Sequence, residues 1–467
     1  MSAEGTERTD ASPLTDIRIT IHMFLPSGRN VTVSVSPAQT LIELRKMAKQ
    51  TFGRGFLQLL SGGIILSPDL TISSAGLKDG DTLTAIFQAS NLVATQEAFA
   101  LWAINGPVIA WGDPGAGGVC DCDQLISVQQ VVPADHAFAA ILTDGHVVAW
   151  GDTESGGLCS DVQDELTNVK QLVATDAAFA ALKTNGSVVT FGDENSGADR
   201  LLRSELLEMR SVVKLAASCG AFAAILVNGR VFTWGKAEFG GNSRDVQHLL
   251  WNVTDIIGQR RNSSFTALSD GEVVATWGSS RCCASKEVQD RLKNVKSIDC
   301  TALAWAALLE DGNVVTWGHP CSGGVVCEDV QDRLNRNVSK VIATDAAFAA
   351  LLDDGSVVSW GDPDYGGDDA EVRDQLTDVV QLHAGYNMFL ALRKDGSVVR
   401  WGNSDAMSNW EHDGAHLKVE PHLKDLQDFC STDRSFAASL TTGQVFAWGH
   451  PETGGSNRQL QKEIWKM

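Results

Sequence analysis

The chain has 467 residues, 43% hydrophobic and 20% charged, which is the make-up of a globular protein too long for one ordinary core. Its formal net charge is −21; residues 1–91 hold eight Lys/Arg and eight Asp/Glu, so the remaining 29 against 50 carry the whole excess. Such a surface repels phosphate backbones, which excludes nucleic acid as its partner, and no run of about 18 apolar residues is present to span a membrane.

Residues 1–16, "MSAEGTERTDASPLTD", are polar and lack the basic-then-apolar order of a secretory signal, so they read as a disordered tail on a protein kept in the cytoplasm or nucleus. Ten cysteines without the spacing of a disulfide framework fit that setting. Residues 17–88 form a first domain. "IRITIHMFLPSGRNVTVSV" is two alternating strands around a Pro-Ser-Gly turn. A helix follows, with Ser36 or Thr40 as its N-cap and Leu41, Leu44, Met47 and Ala48 on one face. "FLQLLSGGIIL" and "DTLTAIFQ" supply two more strands.

The run "LLSGGIILSPDLTISSAGLKDGDTLTAIF" (59–87) resembles ubiquitin-like β-grasp domains without a gap. That resemblance implies an apolar recognition patch, with Leu60 and Ile86 in two of its three positions and the turn at Pro26, beside Leu25, in the third. The lysines of the two commonest chain linkages are matched by Ile64 and Asp79, and no Gly-Gly terminus follows the last strand. The resemblance therefore implies a fixed docking domain for ubiquitin receptors or the proteasome, not a conjugated tag. The plainer alternative makes Leu60 and Ile86 ordinary sheet residues.

Residues 89–467 repeat. Trp-Gly or Phe-Gly pairs stand at Trp111, Trp150, Phe191, Trp234, Trp277, Trp317, Trp360, Trp401 and Trp448, spaced 39 to 47 residues apart. This period signals a propeller or a solenoid. Eight of the nine pairs follow an Asn-Gly or Asp-Gly turn, such as Asp144-Gly145 and Asp354-Gly355, for which a type I′ hairpin is expected. A third strand precedes each hairpin, for example "VIAT" at 341–344, and a Gly-rich loop with a helical turn such as "DVQDEL" follows it. One such sheet is too small to stand alone, so each copy should supply half of its neighbour's core.

The strand, Asp-Gly turn, "VVxWG" and Gly-rich loop resemble the RCC1-like repeat, and "VVQLHAGYNMFLALRKDGSVVRWG" (379–402) its compact three-stranded form. The resemblance implies a mainly β protein whose second part is a β-propeller. Nine copies exceed that family's usual seven blades, so nine blades, seven plus extra repeats, and an open solenoid all stay open. The family's Gly-x-x-His-Ser/Thr is here mostly "TDAAF", and its Gly-Gln-Leu-Gly loop is "SGG" or "YGG".

Signatures of catalysis are absent: there is no phosphate loop, nucleophile elbow, His-Glu-x-x-His or Cys-x-x-Cys. Without Cys-x-x-Cys pairs a zinc-binding RING domain is not expected, and the short stretch after the last Trp-Gly leaves a HECT domain unexpected too. Seven cysteines (Cys120, Cys122, Cys159, Cys282, Cys283, Cys321, Cys327) fall in loops after Trp-Gly, but in four different repeats, and no metal or other cofactor is expected. His412, His416 and His422 concentrate in the longest gap, read as a surface insertion. Asp113, Asp152, Asp193 and Asp362 each follow Trp/Phe-Gly; a turn-capping role is the plain reading, and an acidic face attracting a basic partner is the functional one.

The expectation is a monomeric, non-catalytic adaptor linked to ubiquitin-dependent processes. Its first domain would dock to ubiquitin receptors and its propeller would bind a protein partner. The alternatives are a nucleotide-exchange regulator of a small GTPase and a proteinaceous enzyme inhibitor.

Overall fold

The computed structural model describes residues 18–52, 56–67, 70–120, 124–199, 201–334, 337–402 and 423–466. The chain separates into two compact units, the first ending at Gln88 and the second running Ala89–Lys466.

In the first unit, strands β1 (Ile19–Phe24), β2 (Asn30–Val35), β3 (Leu57–Ser61), β4 (Ile64–Ile65) and β5 (Asp81–Phe87) form one sheet in the order β2-β1-β5-β3-β4. β1 and β5 run parallel, as a β-grasp requires. Helix α1 (Leu41–Phe52) starts at a reciprocal capping box: Thr40 N–H donates to Glu43 Oε2 at 3.1 Å, and Glu43 N–H to Thr40 Oγ1 at 3.4 Å. Thr40 is thus the N-cap of the two residues the sequence offered. Leu41, Leu44 and Ala48 pack on Ile21, Met23, Leu59, Leu83 and Ala85, the inward alternate residues of three strands.

Among its described residues the second unit contains nine three-stranded antiparallel sheets, each made of consecutive strands from one repeat. Their inner strands are Asn91–Ala94, Val128–Pro133, Val169–Ala174, Val212–Ala217, Asp255–Ile257, Val295–Cys300, Val338–Ala343, Val379–Ala384 and Leu426–Ser431, which number blades one to nine. Apolar cores lie between blades. Ala178, Ala180 and Leu182 of blade three pack with Leu215, Phe222 and Trp234 of blade four, while Phe179 and Ala181 face Ile141 and Val147 of blade two. The middle strand "AFAAL" keeps small alanines on both faces because both faces meet another sheet.

A second latch repeats between blades. The indole N–H of Trp150 donates to Gly117 O, Trp234 to Gly197 O, Trp277 to Gly240 O and Trp360 to Gly323 O, at 3.0–3.1 Å. Gly323 has φ +87°, and a Cβ there would meet the Phe348 ring of the next blade at 2.6 Å, so only glycine fits the "SGG" loop. The same latch joins the last blade to the first: Trp111 donates to Gly454 O at 3.0 Å. Asp433 N–H also reaches Gln96 O at 2.8 Å, and Gln427 Nε2 reaches Ser90 O at 2.7 Å. The repeats therefore close as nine blades, and seven blades with extra repeats and the open solenoid are both set aside.

The hairpin turns differ from expectation. In most blades only the glycine is left-handed (Gly145 φ 82°, Gly355 φ 80°), and its N–H closes back to the residue three before it, as Gly145 does to Leu142 O. These are three-residue loops with a glycine bulge, because Asp144 Oδ1 accepts from His146 N–H and holds the aspartate out of the left-handed region. Only blade five has both turn residues left-handed, Asp270 at 51° and Gly271 at 81°.

Candidate interaction surfaces

On the first unit, Leu57, Leu59, Leu83 and Ala85 point into the core, which turns Leu60 and Ile86 to the open face of the sheet. Gln58 pairs with Ile86 and Leu60 with Thr84, so the two apolar residues are diagonal neighbours. Leu60 also pairs with Ile65, which is 55% exposed, and Thr84 lies beside Phe24, which is 40% exposed. Leu60 and Ile86 themselves are half-buried. The face thus carries a strip of Phe24, Leu60, Ile65 and Ile86; two of its members were not singled out by sequence reasoning. Pro26 is exposed in the turn just beyond Phe24.

The second unit brings its Gly-rich loops to one face. At the corner between inner and middle strands, Thr175 Oγ1 accepts from Ala178 N–H at 3.0 Å and donates to Ser196 O of the loop at 3.1 Å. Thr95, Ser218, Thr301, Thr344 and Thr432 repeat both bonds. This is the work of the threonine in "TDAAF": it ties the corner to the loop.

The next residue at each corner is Gln96, Asp135, Asp176, Cys219, Asn262, Ala302, Asp345, Tyr386 and Asp433. Their backbones form a ring, in which Gln96 N–H donates to Asp135 O, Asp135 to Asp176 O, Asp176 to Cys219 O and Cys219 to Asn262 O, at 2.8–2.9 Å. Further round, Ala302 N–H donates to Asp345 O and Asp345 N–H to Tyr386 O. Burial pushes the carboxyls of Asp176, Asp345 and Asp433 above the ordinary range; the Asp135 charge adds to the effect at all three, while Arg261 pulls against it.

Outside this ring stand the four sequence-predicted aspartates. Asp113 N–H bonds Glu97 O, Asp152 N–H bonds His136 O, Asp193 N–H bonds Ala177 O and Asp362 N–H bonds Ala346 O, so all four share the corner face. Each carboxylate also caps its loop: Asp113 accepts from Gly115 N–H, Asp193 from Asn195 N–H and Ser196 Oγ, and Asp362 from Asp364 N–H. Asp152 accepts from Ser155 Oγ at 2.7 Å. All four remain half-exposed. Blades one to three add Glu97, Asp135, Glu154, Asp176 and Glu194 to the same face, whereas blades four and five contribute Lys236, Arg260 and Arg261. Glu238 of blade four, Asp345, Asp362 and Asp364 of blade seven, and Asp433 and Glu452 of blade nine continue it, so the negative charge is densest on blades one to three and extends around the face.

A 540 Å³ cavity runs along the inner strands of blades two to five, with the Lys214–Asp255 ion pair on its wall and Arg260 at one end. Among the described residues no group of three or more His, Cys, Asp or Glu is placed to hold a metal ion. Cys120, Cys159, Cys282, Cys283, Cys321 and Cys327 are in no disulfide; Cys122, His412, His416 and His422 lie outside the described residues.

No family model and no curated protein matches the chain. Among solved structures it is similar to Prp20p of Saccharomyces cerevisiae, with 17% identity over 58% of this chain and 72% of that one, at a TM-score of 0.34. The ectodomain of the receptor kinase CR4 of Physcomitrella patens matches 69% of this chain and 74% of its own at 13% identity and a TM-score of 0.36. The ubiquitin-like domain of Dsk2 of Plasmodium falciparum is 20% identical over 15% of this chain and 96% of its own, with a TM-score of 0.14.

Proposed function

We propose that the chain is a non-catalytic adaptor that joins a ubiquitin receptor, held by the first unit, to a protein partner with a basic surface, held by the loop face of the second. The observation that carries this reading is the apolar strip on the open face of the first sheet. Phe24, Leu60, Ile65 and Ile86 are contiguous and solvent-facing in a domain whose core is already complete beneath them, and exposed apolar strips of this kind are characteristic of binding sites. The acidic residues of the loop face, densest on blades one to three, support the second half. Clustered carboxylates on a rigid scaffold raise the encounter rate with a basic surface and repel acidic ones.

The test is binding of the full chain to purified ubiquitin-receptor domains. Leu60→Ala and Ile65→Ala together should weaken binding at least about tenfold, since each removes about 1–2 kcal/mol of buried apolar contact. Because both side chains lie on the open face, the variant should retain the wild-type circular dichroism spectrum. Equal binding by wild type and variant would remove the strip, and with it the link to ubiquitin receptors.

A further inference from the structure

Blade five departs from its eight companions at the corner between its inner and middle strands. Ile256 pairs with Ala267 across ten intervening residues, where Leu172 of blade three pairs with Ala181 across eight. The corner of blade five thus holds two extra residues, and the segment that accommodates them reads Gln259-Arg260-Arg261-Asn262.

Each of these side chains leaves its own blade. Gln259 Nε2 donates to Asp299 Oδ1 of blade six at 2.6 Å. Arg260 pairs with Asp135 of blade two. Arg261 Nη1 pairs with Asp345 Oδ1 of blade seven at 3.2 Å, and its guanidinium stands 4.7 Å from the centre of the Tyr386 ring of blade eight. Asn262 Nδ2 donates to Thr301 O of blade six at 2.7 Å. Blades two and seven are not neighbours of blade five, so the two arginines reach past adjacent blades. Both pairs are partly withdrawn from water: Arg260 is 15% and Asp135 20% exposed, Arg261 29% and Asp345 19%.

The extra residues coincide with a seam that lacks both the corner-to-corner backbone bond and the Trp-Gly indole latch. Trp305 of blade six donates instead to Ser264 Oγ at 3.0 Å, and the backbone bond is replaced elsewhere only between blades eight and nine, where Tyr386 N–H donates to Ser431 Oγ. Asn262 N–H turns back to Gln259 O instead of bonding the corner of blade six, so the backbone ring is broken there. The loop after Trp277-Gly278 reads "SSRCCAS", with Cys283 in the place where Gly240 of the preceding loop accepts its indole bond. Trp317 of blade six accordingly buries an N–H with no acceptor. A cavity of 220 Å³ opens at this seam, lined by Gln259, Arg261, Asn262, Thr301 and Asp345 among others.

We propose that Gln259–Asn262 is a strap that holds the ring shut at the seam between blades five and six, anchoring blade five to blades two, six and seven in place of the missing latches. With the strap engaged the ring is closed and rigid; with it released, this seam is where the ring opens.

Hydrogen–deuterium exchange on the full chain tests the strap. In the double variant Arg260→Gln/Arg261→Gln, amides of Val295–Cys300 and Ala304–Leu309 should exchange at least about tenfold faster, while Val169–Ala174 and Ala178–Lys183 of blade three change less than about threefold. The double variant Asp135→Asn/Asp345→Asn removes the far anchors instead and should give the same local pattern. Lys214→Gln, which removes an ion pair between the adjacent blades four and five, should leave the seam at its wild-type rate. Should the arginine variant fail to fold, the aspartate variant decides. No change at the seam in the aspartate variant overturns the strap, because the arginines would then only neutralise the corner acids. An even rise over all nine blades overturns it as well.

Discussion

Trp111 and Trp317 occupy the same place in their repeats, and both are buried against a phenylalanine or tryptophan ring of the same blade, at 5.1 and 6.1 Å between centroids. One hydrogen bond separates them, since Trp111 has Gly454 O as acceptor and Trp317 has none. A Trp→Phe change costs packing at both sites, but only Trp111→Phe also strands a buried carbonyl. Denaturant titration should therefore find Trp111→Phe about 1 kcal/mol more damaging than Trp317→Phe. Equal losses would mean that the indole latch adds nothing to closure. Sequence reasoning used these tryptophans to mark the repeat, but their acceptors lie in the preceding repeat, where linear spacing gives no sign of contact. Arg260 and Arg261 escaped notice for a related reason. An insertion of two residues is invisible until strand register shows what it is inserted into.

At the scale of the element, the hairpins, the connector turns and the capped helix α1 were all legible, because each is written in local chemistry: Asp-Gly, "DVQD", and Thr-x-x-Glu. Outside blade five the expected type I′ turns were not what formed, since in turns such as Asp144-Gly145 and Asp354-Gly355 the aspartate side chain bonds forward to the residue after glycine and selects a longer loop. The connector turn has a further function that pattern alone did not disclose. Gln163 Nε2 donates to Val147 O, Gln247 to Val231 O and Gln461 to Val445 O, so in these three repeats the glutamine ties the segment after the loop to the outer strand before it. The loop aspartates serve structure through their oxygens and would serve binding through their charge, and one substitution parts the two. Changing Asp113, Asp152, Asp193 and Asp362 together to Asn keeps an oxygen for each cap and removes four charges. The variant should unfold within about 1 kcal/mol of wild type, yet lose most of the salt-dependent part of its association with basic partners. Association with an unchanged salt dependence would leave these aspartates as caps alone.

For the molecule as a whole, the count of repeats was plain in the sequence and their closure was not. Nine similar units can stack in a line or around a circle, and the choice depends on a small rotation between neighbours that no single repeat encodes. What decides it is the match between ends. Gly454 presents its carbonyl and bare backbone to Trp111 and Phe99 as Gly117 does to Trp150 and Phe138, so the last repeat treats the first as its successor. The central claim is that the nine blades form a closed ring, each blade completing its core against the next and the ninth against the first. Distances between spin labels on the full chain, read by pulsed dipolar spectroscopy, address it most directly. Labels at the exposed hairpin turns of blades one and nine, Asn105 and Thr442, should lie as close as a reference pair on the adjacent blades seven and eight, Asp354 and Asp395. A separation much longer than the reference pair's would contradict closure.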